Sequence, residues 1–287
     1  MVSVCMITYG HENYIEEAIK GVLMQEVNFE VELIIANDCS PDNTDNIIKE
    51  IQKSNKKGYW IKYLRQQENI GMTANMLFAL QHCKGKFIAF CEGDDYWTDP
   101  LKLQKQVDYL LSNPDIRLIY TGYNIFIQNT GEINPSPPVN ALTEVDEGYN
   151  DLMKNNFIGL LTVMADSEIL LQAAEKLIGV LQNWSMVDYP LWLYISSRYK
   201  IAYIPEYTAV YRYLPVSASH SGSLIKNLQF LKNVFFIRLY FHKKIKRTFS
   251  KTLISIYFKF YYESYLYTYR KFKQKIYDNK IYDKKGC

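Results

Sequence analysis

"VELIIANDCSPDN", residues 31–43, runs seven strand-forming residues into an acidic turn that carries a proline. "KFIAFCEGDDYW", residues 86–97, does it again, placing Glu92, Asp94 and Asp95 directly after an apolar run. Short apolar runs closed by turn residues read as buried strands. Working outward, "VSVCMIT" (2–8) reads as a first strand and residues 12–25 as a helix. "DNTDNIIKEIQKS" (42–54) reads as a helix whose acidic opening suits its N-terminus. "YWIKYLR" (59–65) is a strand and "MTANMLFALQHC" (72–83) a helix stopped by Gly85. This alternation predicts an α/β fold around a parallel, doubly wound sheet. Ligands of such sheets bind outside the carboxyl ends of the strands. Both acidic turns therefore belong on one rim.

Beyond Pro100 the pattern loosens. An amphipathic helix is predicted over 101–114 and a strand over 116–128, followed by a polar, proline-bearing loop over 131–148. A helix near 167–181, the stretch "NWSMVDYPLWLYISSR" (183–198) and strands near 201–213 follow. From Ser223 onward the chain reads as helical, aromatic and basic.

Of the 287 residues, 48% are hydrophobic, which is enough to build a core and excludes a disordered chain. The net charge of +3 conceals a split. Residues 207–287 hold 17 Lys and Arg against 3 acids, whereas residues 1–206 hold 16 against 27. An acidic body can offer carboxylates to a metal, and a basic tail can meet an anionic surface. The five cysteines, Cys5, Cys39, Cys83, Cys91 and Cys287, form no CxxC pair, which argues against a zinc site and fits a reducing cytoplasm. No basic region precedes the first apolar run, and no long apolar stretch lacks charge, so neither a signal peptide nor a membrane span is expected.

An acidic cluster at a strand end can bind a hard divalent cation, because Mg²⁺ and Mn²⁺ prefer oxygen ligands and share them with substrate phosphates. A solvated acidic turn would carry the same letters. Its position after a buried strand, with Asp38 on the same rim, favours the metal.

Four stretches in order, "VSVCMITYGHENYIEEAIKGVLMQ", "ELIIANDCSPDNT", "ENIGMTANMLFALQHCKGKFIAFCEGDDYW" and "SMVDYPLW", resemble the inverting family 2 glycosyltransferases of the GT-A fold. The resemblance covers about residues 2–215. It implies a Rossmann-like mixed sheet flanked by helices, with a helical C-terminal extension. It implies a catalytic domain over 1–215, split into a nucleotide-sugar half (1–97) and an acceptor half (98–215), and an extension over 216–287.

The resemblance also implies a site. The family's base- and ribose-binding element falls on Asn37, Asp38, Cys39 and Ser40, with Asp38 matching its second acid, Asn37 replacing the first and Cys39 replacing a usual glycine. Thr8 and Tyr9 match the positions lining the nucleotide pocket. The metal motif falls on Glu92, Asp94 and Asp95. Asp95 is the expected ligand of Mn²⁺ or Mg²⁺, Asp94 is expected on the ribose or donor sugar, and Glu92 and Asp94 are further metal candidates. Asn75 is a donor contact, while Asn69 and Gly71 read as turn residues. In "VYRYLPVSASHSG", Arg212 is the candidate phosphate partner and His220 an extra metal ligand. Asp188 matches the catalytic base that takes a proton from the acceptor hydroxyl. A helix cap before "YPLWLY" would use the same residue.

The expected activity is therefore inverting transfer from a nucleotide-sugar, a UDP-sugar first, to a hydroxyl of a glycan or lipid-linked acceptor in bacterial surface-polysaccharide synthesis. A nucleotidyltransferase or a non-catalytic glycan-binding protein are the alternatives. The first lacks its basic glycine-rich loop in "TYGHENY", and the second has no use for Asp38, Asp95 and Asp188. In the tail, Leu224, Leu228, Leu231, Phe235 and Leu239 recur at helical spacing among basic residues. That face can lie on an anionic membrane on the cytoplasmic side, or pack on the catalytic body. No nucleic-acid motif accompanies the charge.

Overall fold

The structure is a computed structural model that describes residues 1–136, 145–214 and 223–245, and residues 257, 258, 260–262, 264–266, 268 and 269. His220 and the middle of the loop expected over 131–148 lie outside the described residues. The chain divides into two compact units, Met1–Tyr213 and Leu214–Cys287.

In the first unit, strand β1 (Val2–Thr8) is followed by helix α1 (Ile15–Leu23), β2 (Val31–Asn37), α2 (Thr44–Ser54), β3 (Ile61–Arg65), α3 (Met72–His82) and β4 (Phe87–Phe90). These follow the sequence reading with ends moved by one to three residues. Gly58–Trp60 form a 3-10 turn ahead of β3, so that strand begins two residues later than read. Every residue of β1 and β2 is buried. That pattern belongs to parallel strands covered on both faces. On α1, Ile15, Ala18, Ile19 and Val22 recur at helical spacing and are all fully buried.

The parallel order expected from the alternation holds for β3-β2-β1-β4, and beyond it the sheet is mixed, as the resemblance implied. After β4 the chain makes no helical crossover. It enters the acidic turn and a two-residue strand, β5 (Tyr96–Trp97), and then α4 (Lys102–Ser112), β6 (Ile116–Ile127), β7 (Glu132–Pro135) and α5 (Val145–Lys154). The unit is completed by β8 (Met164–Asp166), α6 (Ser167–Leu181), α7 (Asp188–Ser196) and β9 (Lys200–Tyr213). β8 joins β4 antiparallel, β6 joins β8 antiparallel, and β9 runs parallel to β6. β5 pairs antiparallel with β9, and β7 with β6. The nine strands make one mixed sheet in the order β3-β2-β1-β4-β8-β6-β9-β5, with β7 on β6. The region read as several strands near 201–213 is the single strand β9, whose register with β6 shifts near Thr121 and Gly122.

Two buried anchors fix the chain leaving the acidic turn. The Trp97 indole N–H donates to the Leu161 carbonyl at 2.9 Å. Lys102, fully buried, donates through Nζ to Gln106 Oε1 at 2.6 Å and the Thr162 carbonyl at 3.2 Å, with its ammonium 4.8 Å from the Trp97 ring centre. Burial pulls this lysine down to about 7.

The second unit contains α8 (Leu224–Ile245) and the helical residues between 257 and 269. Among the described residues, no helix is long and apolar enough to cross a membrane.

Candidate active site

The rim forms because β1 lies between β2 and β4, so the turns leaving both neighbours converge on its last residues. Thr8 is in register with Asn37, and the Asp38 amide donates to the Thr8 carbonyl at 2.9 Å. From the other side, the Gly93 amide donates to the Ile7 carbonyl at 3.0 Å. Both acidic turns are thus hydrogen-bonded to consecutive residues of one strand. Gly93 is needed for this approach. A Cβ there would lie 2.6 Å from Thr8 Oγ1, 2.8 Å from Thr8 Cβ and 2.9 Å from His11 Nδ1.

In the first turn the expected donor contacts turn inward. Asn37 Oδ1 accepts from the Ser40 amide and hydroxyl at 2.8 and 2.7 Å, while its Nδ2 donates to Tyr63 Oη at 2.9 Å. Tyr63 donates in turn to Asp45 at 2.5 Å. Asp38 is 3% exposed, and its two oxygens accept from the amides of Ile70 and Gly71 at 2.8 and 3.0 Å. Asn75, also buried, donates to the Ala36 carbonyl at 2.8 Å and accepts from Gln66. Asn37, Asp38 and Asn75 therefore brace the turns in this structure, because polar atoms buried at strand ends must be paired. Cys39 adopts φ +58°, the left-handed backbone that explains why a glycine would be at home there. Thr8 is buried with Oγ1 3.2 Å from His11 Nδ1, whereas Tyr9 stands 47% exposed on the rim.

The second turn gathers the charge. Asp95 is 1% exposed, and one of its oxygens accepts from the Arg212 amide at 2.8 Å. The other, Oδ2, is buried with no hydrogen-bond partner among the described residues. Burial raises the Asp95 carboxyl well above the usual range, and the charges of Asp94 and Glu92 raise it further, against the Arg212 amide and charge. Glu92 is pushed up to about 8 by burial and by the charges of Asp94 and Asp188. Three crowded carboxylates and an unpaired buried oxygen form a donor set that a divalent cation would satisfy. Among the described residues, no group of three or more His, Cys, Asp or Glu side chains is arranged so that it could hold a metal ion by itself.

Arg212, the candidate phosphate partner, lies beside the acidic turn. It is 6% exposed; Nε donates to the Asp94 carbonyl at 2.9 Å, one terminal nitrogen donates to Gln128 at 3.0 Å and the other donates to Glu17 at 2.5 Å. The rings of Tyr14, Tyr96 and Phe126 lie 4.9, 5.2 and 5.5 Å from its guanidinium. All three guanidinium nitrogens thus face protein acceptors, so Arg212 fastens the acidic turn to Gln128 and Glu17.

Asp188 is the first residue of α7. Its carboxylate accepts from the Tyr189 amide and from Asn156. Burial still raises its pKa, and its charge reaches Glu92. Asp188 is thus the first helical residue and not the cap that the sequence allowed, since the N-cap is Val187 and no side chain caps it, and the Asp188 charge acts on Glu92 of the acidic turn.

Several residues of the site were not singled out in the sequence. His11 follows β1 and places Nε2 3.9 Å from Asp94 Oδ2; its position on the strand-end rim was the available signal. Glu17, Gln128 and Asn156 act through contacts across 195, 84 and 32 residues, and no local pattern marks them.

The family model described as "Glycosyl transferase family 2" matches residues 3–170. An uncharacterized protein of Mycobacterium tuberculosis is 33% identical over 211 residues, which cover 74% of this chain and 58% of that protein. The chain thus spans well under two thirds of that relative's length. The Escherichia coli UDP-Glc:alpha-D-GlcNAc-diphosphoundecaprenol beta-1,3-glucosyltransferase WfgD is 31% identical, with 80% of this chain and 83% of WfgD covered. Among solved structures, the mannosyltransferase PcManGT of Pyrobaculum calidifontis, in complex with GDP-Man and Mn²⁺, superposes with a TM-score of 0.57 at 15% identity, covering 92% of this chain and 69% of that one. At that identity the likeness shows the fold alone, a GT-A-type mixed sheet flanked by helices.

Proposed function

We propose that the chain, which belongs to glycosyl transferase family 2, is a glycosyltransferase that moves a sugar, with inversion, from a nucleotide-diphosphate sugar to a hydroxyl of a glycan or lipid-linked acceptor in surface-polysaccharide synthesis. The observation that carries this reading is the meeting of Asp188 with the Glu92, Asp94 and Asp95 turn, whose charges act on one another.

The Asp188 carboxylate, held by Asn156 and the Tyr189 amide, is the group placed to take the acceptor's proton as its oxygen attacks the anomeric carbon. Direct attack opposite the leaving group inverts that carbon. Burial makes Asp188 a stronger base than a solvated aspartate. Asp95, with its unpaired oxygen, and Asp94 would hold a divalent cation, Mn²⁺ or Mg²⁺, with Glu92 beside them. That cation would offset charge building on the departing nucleoside diphosphate. The nucleotide would lie on the rim against Tyr9 and the turn that Asp38 holds at residues 69–71.

UDP-glucose comes first among donors because WfgD, which takes it by name, is 31% identical. WfgD's named acceptor, a diphosphoundecaprenol-linked sugar, makes a lipid-linked glycan the acceptor class to try first. The test incubates purified protein with a panel of nucleotide-sugars, with and without Mn²⁺, and follows free nucleotide. Mn²⁺-dependent release from one donor, lost in Asp95→Ala, supports the reading. No release from any donor, with no nucleotide binding by calorimetry, overturns it.

A further inference from the structure

Among the described residues of the second unit, the exposed large apolar side chains are Ile225 and Phe236 on α8 and six on the helical segment between 257 and 269. On α8, Leu228, Leu231 and Leu239 are partly covered and Phe235 is buried, so this apolar face is already occupied. Phe235 packs against Tyr257 and Phe260, with ring centres 4.9 and 4.8 Å apart. The helical residues between 257 and 269 therefore lie on α8 with one side.

Their other side is open. Tyr257, Phe258, Tyr261, Tyr262, Tyr265 and Tyr269 are 40%, 72%, 66%, 62%, 65% and 50% exposed. At 3.6 residues per turn these six positions fall within an arc of about 140°. Phe260, Ser264 and Leu266, which are partly covered, fall outside it. Tyr265 and Tyr269 stack along the stripe at 6.2 Å. Thr268 is the other described residue in the arc, so no described position within it carries charge.

A continuous aromatic stripe on a protein surface marks a contact. Its chemistry selects the partner. Tyrosine has an apolar ring and a polar tip, the combination that settles at the headgroup level of a bilayer. The surrounding sequence from 224 to 270 carries ten Lys and Arg and a single acid, Glu263. That charge repels a second copy of the same surface and attracts anionic lipid. We propose that the Tyr257–Tyr269 aromatic stripe seats the protein on the surface of an anionic bilayer, with tyrosine rings in the headgroup layer and the basic chain around them facing lipid phosphates.

The test uses the full chain and sedimentation with vesicles of phosphatidylcholine alone or containing phosphatidylglycerol. The wild type is expected to bind the phosphatidylglycerol vesicles, more weakly as salt rises, and to leave the neutral ones largely in solution. The combined variant Phe258→Ser, Tyr261→Ser, Tyr262→Ser and Tyr265→Ser should bind at least about tenfold more weakly. These side chains are exposed, so circular dichroism should be unchanged. Equal binding by the variant overturns the assignment of the stripe. Equal binding to neutral vesicles overturns the choice of an anionic surface. Failure to bind either vesicle, with light scattering showing a dimer that the variant loses, would assign the stripe to self-association instead. None of these readouts needs sugar transfer, so this proposal stands or falls apart from the enzymatic one.

Discussion

Arg212 holds the turn that contains Asp95 by both its backbone and its side chain: its amide donates to Asp95 Oδ1 at 2.8 Å, and its Nε donates to the carbonyl of Asp94 at 2.9 Å. The end of β9 is thereby fastened to the turn after β4, 117 residues away. Any residue but proline at 212 keeps the amide bond. Only arginine has the planar fork that also reaches Gln128 and Glu17.

This predicts a graded series. Arg212→Met removes the fork, leaves buried acceptors unpaired and should cost about 2–3 kcal/mol of stability. Arg212→Lys should recover part of the stability but little of the transfer rate. Glu17→Gln should change stability little, because Glu17 is half exposed and its charge is screened. Urea unfolding and donor-release kinetics on the three variants check the order. Wild-type kinetics in Arg212→Met would show that the clamp does not position the turn.

Asp188→Asn keeps the size and the hydrogen-bonding shape at the start of α7 but removes the basic carboxylate. The turnover number should fall by about a hundredfold or more, with the donor KM little changed. The loss of a negative charge next to Glu92 should also lower the Glu92 pKa from about 8. Steady-state kinetics decide the first point and carboxyl NMR titration the second. Unchanged turnover would remove Asp188 from the role of base.

Lys102 offers a pH signature independent of catalysis. Its folded pKa is about 7 against an ordinary value of 10.5. Between those values the unfolded chain holds a proton that the folded chain has lost, so this site's contribution to stability rises with pH across the window. Below about pH 7 the burial penalty is fully present, on the order of 4 kcal/mol. Lys102→Met abolishes that slope while leaving the Gln106 bond to the Thr162 carbonyl in place. Denaturation of both proteins from about pH 7 to pH 10 should show their stability difference moving in favour of wild type as pH rises. A pH-independent difference would refute it.

Gly93→Ala tests how closely the two turns are joined. The added carbon would fall inside contact distance of Thr8 and His11. Overpacking of this kind should cost about 1–3 kcal/mol, with a larger proportional loss of transfer than of stability because the acidic turn must shift. Thermal unfolding beside donor-release kinetics measures both.

The local chemistry of the chain determined much of this. Predominantly apolar runs such as "VSVCMIT" and "VELIIAN" suit strands covered on both faces, so the parallel half of the sheet and the common rim of its two acidic turns follow from the sequence. The ordered motifs indicated the family, and Asp188 marked the start of α7. The tertiary structure decided what each polar group faces. Asp38 and Asn75 read as ligand contacts in a motif; the fold brings the Ile70 and Gly71 amides to Asp38 and the Ala36 carbonyl to Asn75. Arg212 reads as a phosphate partner, and only the fold brings Glu17, Gln128 and the Asp94 carbonyl around it. The antiparallel half of the sheet, and the aromatic stripe that α8 leaves uncovered, depend on pairings between segments distant in sequence. The physical reason is common to all of these. Periodicity reports how a residue partitions between water and core, whereas the partner that satisfies a buried charge or hydrogen bond is set only when the fold brings it there.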